Sequence, residues 1–236
     1  MNGKFLSLLG SVAAVGMVVT PAAAFDFTPQ ETGEVDVGLG CLETCLTLDP
    51  IFGSIESLID SSTGEKSRLF VDYFGDGDVV ETYDNGNIEF KTRDAGTNSL
   101  GYWFRPSEVN EEKGQLEVGT YLLTFEKTFA ELTVEFFDTE YTGETGVMAI
   151  NGDDGNPNYV AKGPDGNIVR QTYQNVDSIE LALGYDKPNG TGDGVNFRIY
   201  GTPVAVPEPA SVLGLLAVAG IGVASRRKLA QPAEAA

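Results

Sequence analysis

The 236-residue sequence contains no histidine, only two cysteines, and 15 basic residues against 35 acidic ones. The absence of histidine excludes Ser-His-Asp and Cys-His hydrolases, imidazole proton shuttles and histidine-ligated zinc or haem. A formal net charge of −20 opposes binding to a phosphate backbone, so no nucleic-acid partner is expected. The sequence does contain 42% hydrophobic residues, 29 glycines and 11 prolines, which indicates a folded core with many turns.

Residues 1–24 have the three parts of a secretory signal peptide. Lys4 is their only charged residue, an apolar run covers residues 5–19, and small residues lead up to Ala24. We predict a signal helix with cleavage after Ala24. The alternative is a retained membrane anchor, but this run reaches only about 22 Å as a helix, less than the roughly 30 Å hydrocarbon core of a bilayer. The pattern therefore favours export.

Residues 207–236 form a second segment with a membrane character. Pro207-Glu208-Pro209 comes first, an apolar stretch predicts a transmembrane helix at about 210–225, and residues 226–228 are a basic stop that contains Arg226 and Arg227. Positive charges after the helix belong on the cytoplasmic side, so the preceding domain should face outward. The apolar stretch is short for a permanent span, which would suit a transient one.

This order of Pro-Glu-Pro, apolar helix and Arg-Arg-Lys resembles the PEP-CTERM sorting signal of Gram-negative bacteria. The resemblance implies recognition by a membrane-embedded exosortase, removal of the tail near Pro207-Glu208-Pro209, and delivery to the cell surface or the exopolysaccharide matrix. The string Leu116-Glu117-Val118-Gly119 also resembles the signature of the LEVG group of PEP-CTERM proteins. That second resemblance implies no catalytic residues.

Residues 25–206, between the two ends, carry 33 acidic and 11 basic residues and form the predicted extracytoplasmic domain. Short β-rich stretches bounded by Gly, Asp, Asn or Pro predict an all-β fold, an antiparallel β-sandwich or jelly roll. Asn85-Gly86 predicts a type I′ hairpin turn that pairs Tyr83 with Ile88.

One short helix is predicted ahead of the strands. Asp49 is a suitable N-cap and Pro50 a suitable first helical residue. Ile51, Ile55 and Leu58 follow at helical spacing.

Three groups of residues could carry a site, and each has a plainer interpretation. Cys41 and Cys45 are close enough in sequence for a local disulfide, with free thiols as the alternative. Asp-Gly loops offer oxygen ligands to calcium, although Asp and Gly are also ordinary turn residues. No other cofactor is expected. The loop residues selected for calcium are Asp76, Asp78, Asp153 and Asp154.

Glu131 and Glu135 belong to an acidic cluster that continues to Asp138 and Glu140. Acidic and apolar residues alternate along this strand, which predicts a solvated face instead of a catalytic carboxylate pair. Trp103 is expected to fill the core, and, if exposed, to stack on sugar rings.

Together with the resemblance to PEP-CTERM proteins, these features predict a non-enzymatic surface or matrix protein. The resemblance implies exosortase and exopolysaccharide as partners, and the apolar segment predicts contact with the membrane. A calcium-dependent adhesion module and a carboxylate-based carbohydrate-active enzyme are the alternatives.

Overall fold

The computed structural model describes residues 24–75, 81–90, 101–109, 118–186 and 193–204. Within these ranges the chain forms twelve β-strands and one 3-10 turn at Asp84–Gly86. All pairings between the strands are antiparallel. The strands are β1 (Phe25–Asp26), β2 (Gly33–Val35), β3 (Phe52–Leu58), β4 (Ser67–Phe74), β5 (Glu81–Tyr83), β6 (Ile88–Phe90), β7 (Gly101–Glu108), β8 (Gly119–Phe137), β9 (Gly146–Ile150), β10 (Asn158–Tyr159), β11 (Ile168–Leu183) and β12 (Asn196–Pro203).

Ten of these strands form one sheet in the order β10-β9-β11-β8-β12-β7-β4-β2, with β1 beside β12 and β3 beside β8. The long strand β8 organises the sheet. It pairs with β11 over most of its length, while its other edge pairs first with β3 and then with β12. A register shift between Val176 and Ser178 of β11 lies opposite the point where β8 changes partner. The two halves of β8 can therefore take different neighbours on that edge.

The main core lies between distant parts of this sheet. Phe104 of β7 meets Phe52 of β3 with ring centroids 6.3 Å apart, and it stacks on Phe197 of β12 at 4.9 Å. The hydroxyl of Tyr121 in β8 donates a 2.5 Å hydrogen bond to the carbonyl of Arg68 in β4. The sheet therefore curves so that β4 and β7 pack against β3 and β8. The all-β antiparallel class is confirmed, whereas a ten-stranded sheet with a separate two-stranded sheet of β5 and β6 does not confirm a sandwich or jelly roll.

The predicted helix after Asp49 and Pro50 is wrong, because Phe52–Leu58 is strand β3. The Asp49 side chain does accept a 2.8 Å hydrogen bond from the amide of Ile51, as an N-cap would, but the turn that it closes leads into a strand. A register shift between Phe52 and Ser54 interrupts the alternation of β3. Because of this irregularity, the apolar residues that pack toward the core do not follow the two-residue period of a regular strand. Their three- and four-residue spacing therefore resembled that of a helix.

The predicted hairpin is confirmed. Tyr83 of β5 pairs with Ile88 of β6. Asn85 and Gly86 have φ values of 56° and 88°, and the amide of Asn87 donates to the carbonyl of Asp84 over 3.1 Å. These are the features of a type I′ turn.

The predicted signal helix and the predicted transmembrane helix at about 210–225 lie outside the described residues. In the part of the chain that is described, no helix has both the length and the apolar character that a membrane crossing requires.

Candidate functional site

A row of three charged residues crosses the middle of the sheet on the face opposite the main core. Glu135 of β8 is the register partner of Arg170 in β11 on one side and of Arg198 in β12 on the other. Residues at matched positions of adjacent strands point to the same face. We call the face of β12, β8 and β11 that carries this row the outer face.

Both guanidinium groups bind the same carboxylate. Glu135 is 2% exposed, and its Oε1 accepts a hydrogen bond from Nε of Arg170. Its Oε2 accepts from Nε and Nη2 of Arg198 at 3.0 and 2.6 Å. Burying a carboxylate is costly unless hydrogen bonds from charged partners compensate for the lost water. The row is therefore a fixed structural unit with two cations and one anion.

One end of the outer face is covered by aromatic side chains. Trp103 of β7 is fully buried beside Phe137 of β8, with ring centroids 5.2 Å apart, and Phe74 also packs in this cluster. The guanidinium carbon of Arg198 lies 3.9 Å from the centroid of the Trp103 ring. Trp103 therefore fills a core and cannot stack on a sugar, which removes it as a candidate for polysaccharide contact.

A second buried ion pair lies further along this covered region. Nη1 of Arg105 in β7 donates a 2.6 Å hydrogen bond to Asp72 in β4, and both side chains are buried. The Arg105 guanidinium also lies 5.0 Å from the ring centroid of Phe74 and 4.6 Å from that of Phe90. The hairpin of β5 and β6 thus covers the pair through Phe90.

The other end of the outer face is open and rich in hydroxyl groups. Beyond the charged row, the register aligns Tyr200 of β12, Thr133 of β8 and Thr172 of β11. The hydroxyls of Thr133 and Thr172 lie 2.8 Å apart and are hydrogen-bonded. Burial, together with the charge of the nearby Glu135 carboxylate, raises the pKa of Tyr200 to about 12. Tyr200 therefore stays protonated at neutral pH.

The structure corrects the prediction for one of the two glutamates. Glu131 is exposed, as expected for a solvated strand face, but Glu135 is buried and bound to two arginines. The two residues are four positions apart on one strand, so their Cα atoms are about 13 Å apart. Glycosidases hold their two carboxyls about 5 Å or about 6.5 to 9.5 Å apart. Both Glu135 oxygens accept hydrogen bonds from arginines, so this carboxylate is bound within the sheet instead of facing an open cleft.

The sequence contained a signal for the charged row that local alternation did not reveal. The described arginines are Arg68, Arg105, Arg170 and Arg198, and each forms an ion pair with a buried carboxylate. Arginines that occupy outward positions of strands in a strongly acidic domain are the expected partners of buried acids. Which acid each one binds depends on strand pairing across many residues.

The rest of the acidic cluster forms a turn network at the end of β8. Oδ1 of Asp138 accepts a 2.7 Å hydrogen bond from the amide of Gly166, and the buried Asp193 accepts a 3.0 Å hydrogen bond from the amide of Glu140. Burial raises the pKa of Asp138 to about 7; the Gly166 bond opposes this shift, and the charges of Asp165, Glu140 and Asp193 add to it. These carboxylates connect loops.

The structure describes only two of the four residues selected for calcium, Asp153 and Asp154. Asp76 and Asp78 lie outside the described residues. Oδ1 of Asp153 accepts a 3.1 Å hydrogen bond from the amide of Gly155, the arrangement of an Asx turn, and Asp154 is exposed beside it. Among the residues that the structure describes, no group of three or more potential ligand side chains could hold a metal ion.

Cys41 and Cys45 form a disulfide, with Cα atoms 5.5 Å apart. The loop that it closes is held on the sheet by Glu34 of β2, which accepts a 2.6 Å hydrogen bond from the amide of Leu42. The same carboxylate binds Nη1 of Arg68 at 2.6 Å. The disulfide loop thus belongs to the edge of the sheet.

The described residues define an acidic antiparallel β protein with arginine-bound carboxylates on its sheet. Residues 205–228, directly after the last strand, match the family model of the PEP-CTERM protein-sorting motif. The match contains Pro207, Glu208, Pro209, Arg226 and Arg227 and confirms the resemblance seen in the sequence. This motif implies recognition by an exosortase and an exported, membrane-anchored precursor.

The comparisons do not confirm the LEVG subgroup. No curated protein and no solved structure gives a significant match to the chain. The structure nevertheless explains the glycine of the LEVG string. A Cβ atom at Gly119 would lie 2.7 Å from the Tyr121 hydroxyl and 2.9 Å from the Cβ of Ser67. Strands β8 and β4 therefore approach too closely at this point for a side chain at position 119.

Proposed function

We propose that this chain is a non-enzymatic protein of the cell surface or exopolysaccharide matrix, sorted by an exosortase and released from its tail at Pro207-Glu208-Pro209. The match of residues 205–228 to the PEP-CTERM motif carries the proposal. The strongly acidic domain ahead of the motif supports it, because a high net charge keeps an exported domain soluble and monomeric.

The position of the two domain ends supports sorting from a membrane-held precursor. Phe25 of β1 pairs with Gly201 of β12, so the chain enters and leaves the sheet on neighbouring strands. Three residues lie between Pro203, the last residue of β12, and Pro207, and four steps along the chain reach at most about 14 Å. The sorting motif therefore begins within a few residues of the last strand of the sheet.

The open end of the outer face is the surface that we assign to polysaccharide contact. Thr133, Thr172 and Tyr200 place hydroxyl groups on adjacent strands, and hydroxyls both donate and accept hydrogen bonds. Sugar hydroxyls need partners of this kind. The engagement of the buried Glu135 by two arginines favours binding over hydrolysis.

The sorting step is tested by replacing Pro207-Glu208-Pro209 with three alanines. We expect the wild-type chain to reach the surface or matrix fraction, and the variant to remain with the membrane fraction. Alanines at Gln231 and Pro232, which lie beyond the matched motif, provide a control that should behave as the wild type. Equal distribution of all three chains would contradict the proposed sorting.

The binding role has a separate test. The processed protein is mixed with exopolysaccharide from the producing cells and sedimented, and the bound fraction is measured against a buffer control. We expect the protein to sediment with the polysaccharide. Recovery of all protein in the supernatant would contradict polysaccharide contact and leave the sorting proposal unaffected.

A further inference from the structure

Arg170 differs from the other described arginines in how its charge is used. Arg68 and Arg105 each bind a carboxylate of their own, Glu34 and Asp72. Arg170 instead shares the Glu135 carboxylate with Arg198.

The second guanidinium of the row is fully engaged. Arg198 binds Glu135 through Nε and Nη2, stacks on Trp103, and is only 15% exposed. It therefore has a structural role. The guanidinium that a ligand can reach is that of Arg170, whose side chain is 66% exposed.

The geometry of Arg170 leaves one edge of its guanidinium open. Its Nε donates to Glu135, and this bond to a buried carboxylate fixes the group on the sheet. Its two Nη groups meet no acceptor in the part of the chain that the structure describes. Two parallel Nη donors match the two oxygens of a carboxylate. A guanidinium held in place loses less conformational entropy on binding than a free one.

We propose that Arg170 and Thr172 form a subsite for an acidic sugar, a uronate residue of a polysaccharide. The sugar carboxylate binds the Nη groups of Arg170, and ring hydroxyls bind the hydroxyl pair of Thr172 and Thr133. Thr172 follows Arg170 by two positions on β11, so both side chains lie on the outer face. The subsite rests on the polysaccharide contact proposed above and specifies the class of sugar.

The experiment titrates purified protein with a galacturonate trisaccharide and, separately, with the neutral galactose trisaccharide. We expect Arg170→Gln to weaken uronate binding at least tenfold, because a charge-assisted bidentate pair is lost. Arg170→Lys should give an intermediate loss, since it keeps the charge without the two parallel donors. Neutral trisaccharide binding should change little in either variant.

Two controls separate binding from folding and from net charge. Lys162→Gln removes the same charge from an exposed position elsewhere and should leave uronate binding unchanged. Thr172→Val keeps the β-branched shape while removing the hydroxyl, and should weaken uronate binding three- to tenfold. Emission from the single tryptophan, Trp103, reports whether each variant retains the packing around the row.

The possible outcomes distinguish the subsite from the proposed function. Uronate binding that is equal in wild type and Arg170→Gln would overturn the subsite, as would binding of only the neutral trisaccharide. Either result is compatible with sedimentation on exopolysaccharide, which tests the proposed function. Loss of uronate binding in Lys162→Gln would show a response to net charge and would also overturn the subsite.

Discussion

Buried carboxylates held by arginine recur through the described part of this protein. Three acidic residues are buried in this way: Glu34, Asp72 and Glu135. Each contacts the guanidinium of an arginine on a neighbouring strand. Desolvation makes an isolated buried charge costly, so each acid depends on its partner. Removing one member of a pair should therefore lower the free energy of unfolding by more than the intact pair contributes to it.

Removing one member of the Asp72 and Arg105 pair tests this dependence. Asp72→Ala leaves Arg105 buried without its carboxylate and should lower the free energy of unfolding by about 3 to 5 kcal/mol. The double variant Asp72→Leu with Arg105→Met replaces both charges with apolar groups and should be more stable than the single variant. Urea unfolding monitored by Trp103 emission measures both. A single variant as stable as the wild type would contradict this account.

Asp138 predicts a specific dependence of stability on pH. Its pKa is raised to about 7 in the folded state, so folding favours the protonated carboxyl. The stability that this preference contributes is fully present below about pH 4, the pKa of an unfolded Asp, and is lost as the pH rises through about 7. Asp138→Asn should remove this contribution to the pH dependence and make the protein more stable than wild type at pH 8.

Thermal unfolding of wild type and Asp138→Asn between pH 4 and pH 8 measures the difference. Asp154→Asn, at an exposed position, is the matched control and should follow the wild-type curve. Parallel curves for wild type and Asp138→Asn would show that Asp138 does not titrate in this range.

At the scale of elements, the hairpin was predictable and β3 was not. Asn85-Gly86 determines its turn through backbone conformations that few residues adopt, so local chemistry was sufficient. Strand β3 depends on pairing with β8, which lies more than sixty residues away in the sequence. The irregular register of β3 gave its apolar residues a spacing like that of a helix. The buried state of Glu135 likewise depends on two distant strands. Predictions from local pattern failed where tertiary pairing decides the structure.

The hairpin prediction can be tested at Gly86, whose φ of 88° disfavours other side chains. Gly86→Ala should destabilise the protein by about 1 kcal/mol, because Ala adopts this conformation with strain. Gly86→Asn should cost less, since Asn tolerates positive φ. The denaturation midpoints show which of the two variants is more stable. Equal midpoints would contradict the role given to backbone conformation.

The disulfide between Cys41 and Cys45 closes a very short loop, so its entropic contribution should be small. Chain-entropy arguments give about 2 kcal/mol for a loop of this length. Replacing both cysteines with alanine should therefore lower the melting temperature modestly and leave a folded protein. A variant that is unfolded at room temperature would show that the disulfide is required for the edge of the sheet.

At the scale of the whole molecule, the distribution of charged residues and the positions of the first and last strands agree with export. The acidic residues are concentrated in the domain, the basic residues 226–228 belong to the sorting motif, and the first and last strands of the domain are neighbours. The sorting motif was predictable because its three parts are contiguous in sequence. The arginine row was not, because it exists only after three separate strands pair.

The most direct test of the central claim is the intact mass of the protein recovered from the cell surface or matrix. Exosortase sorting with removal of the tail predicts a chain that begins at Phe25 and ends near Pro207-Glu208-Pro209. A recovered chain whose mass still includes Leu213 to Lys228 would contradict it.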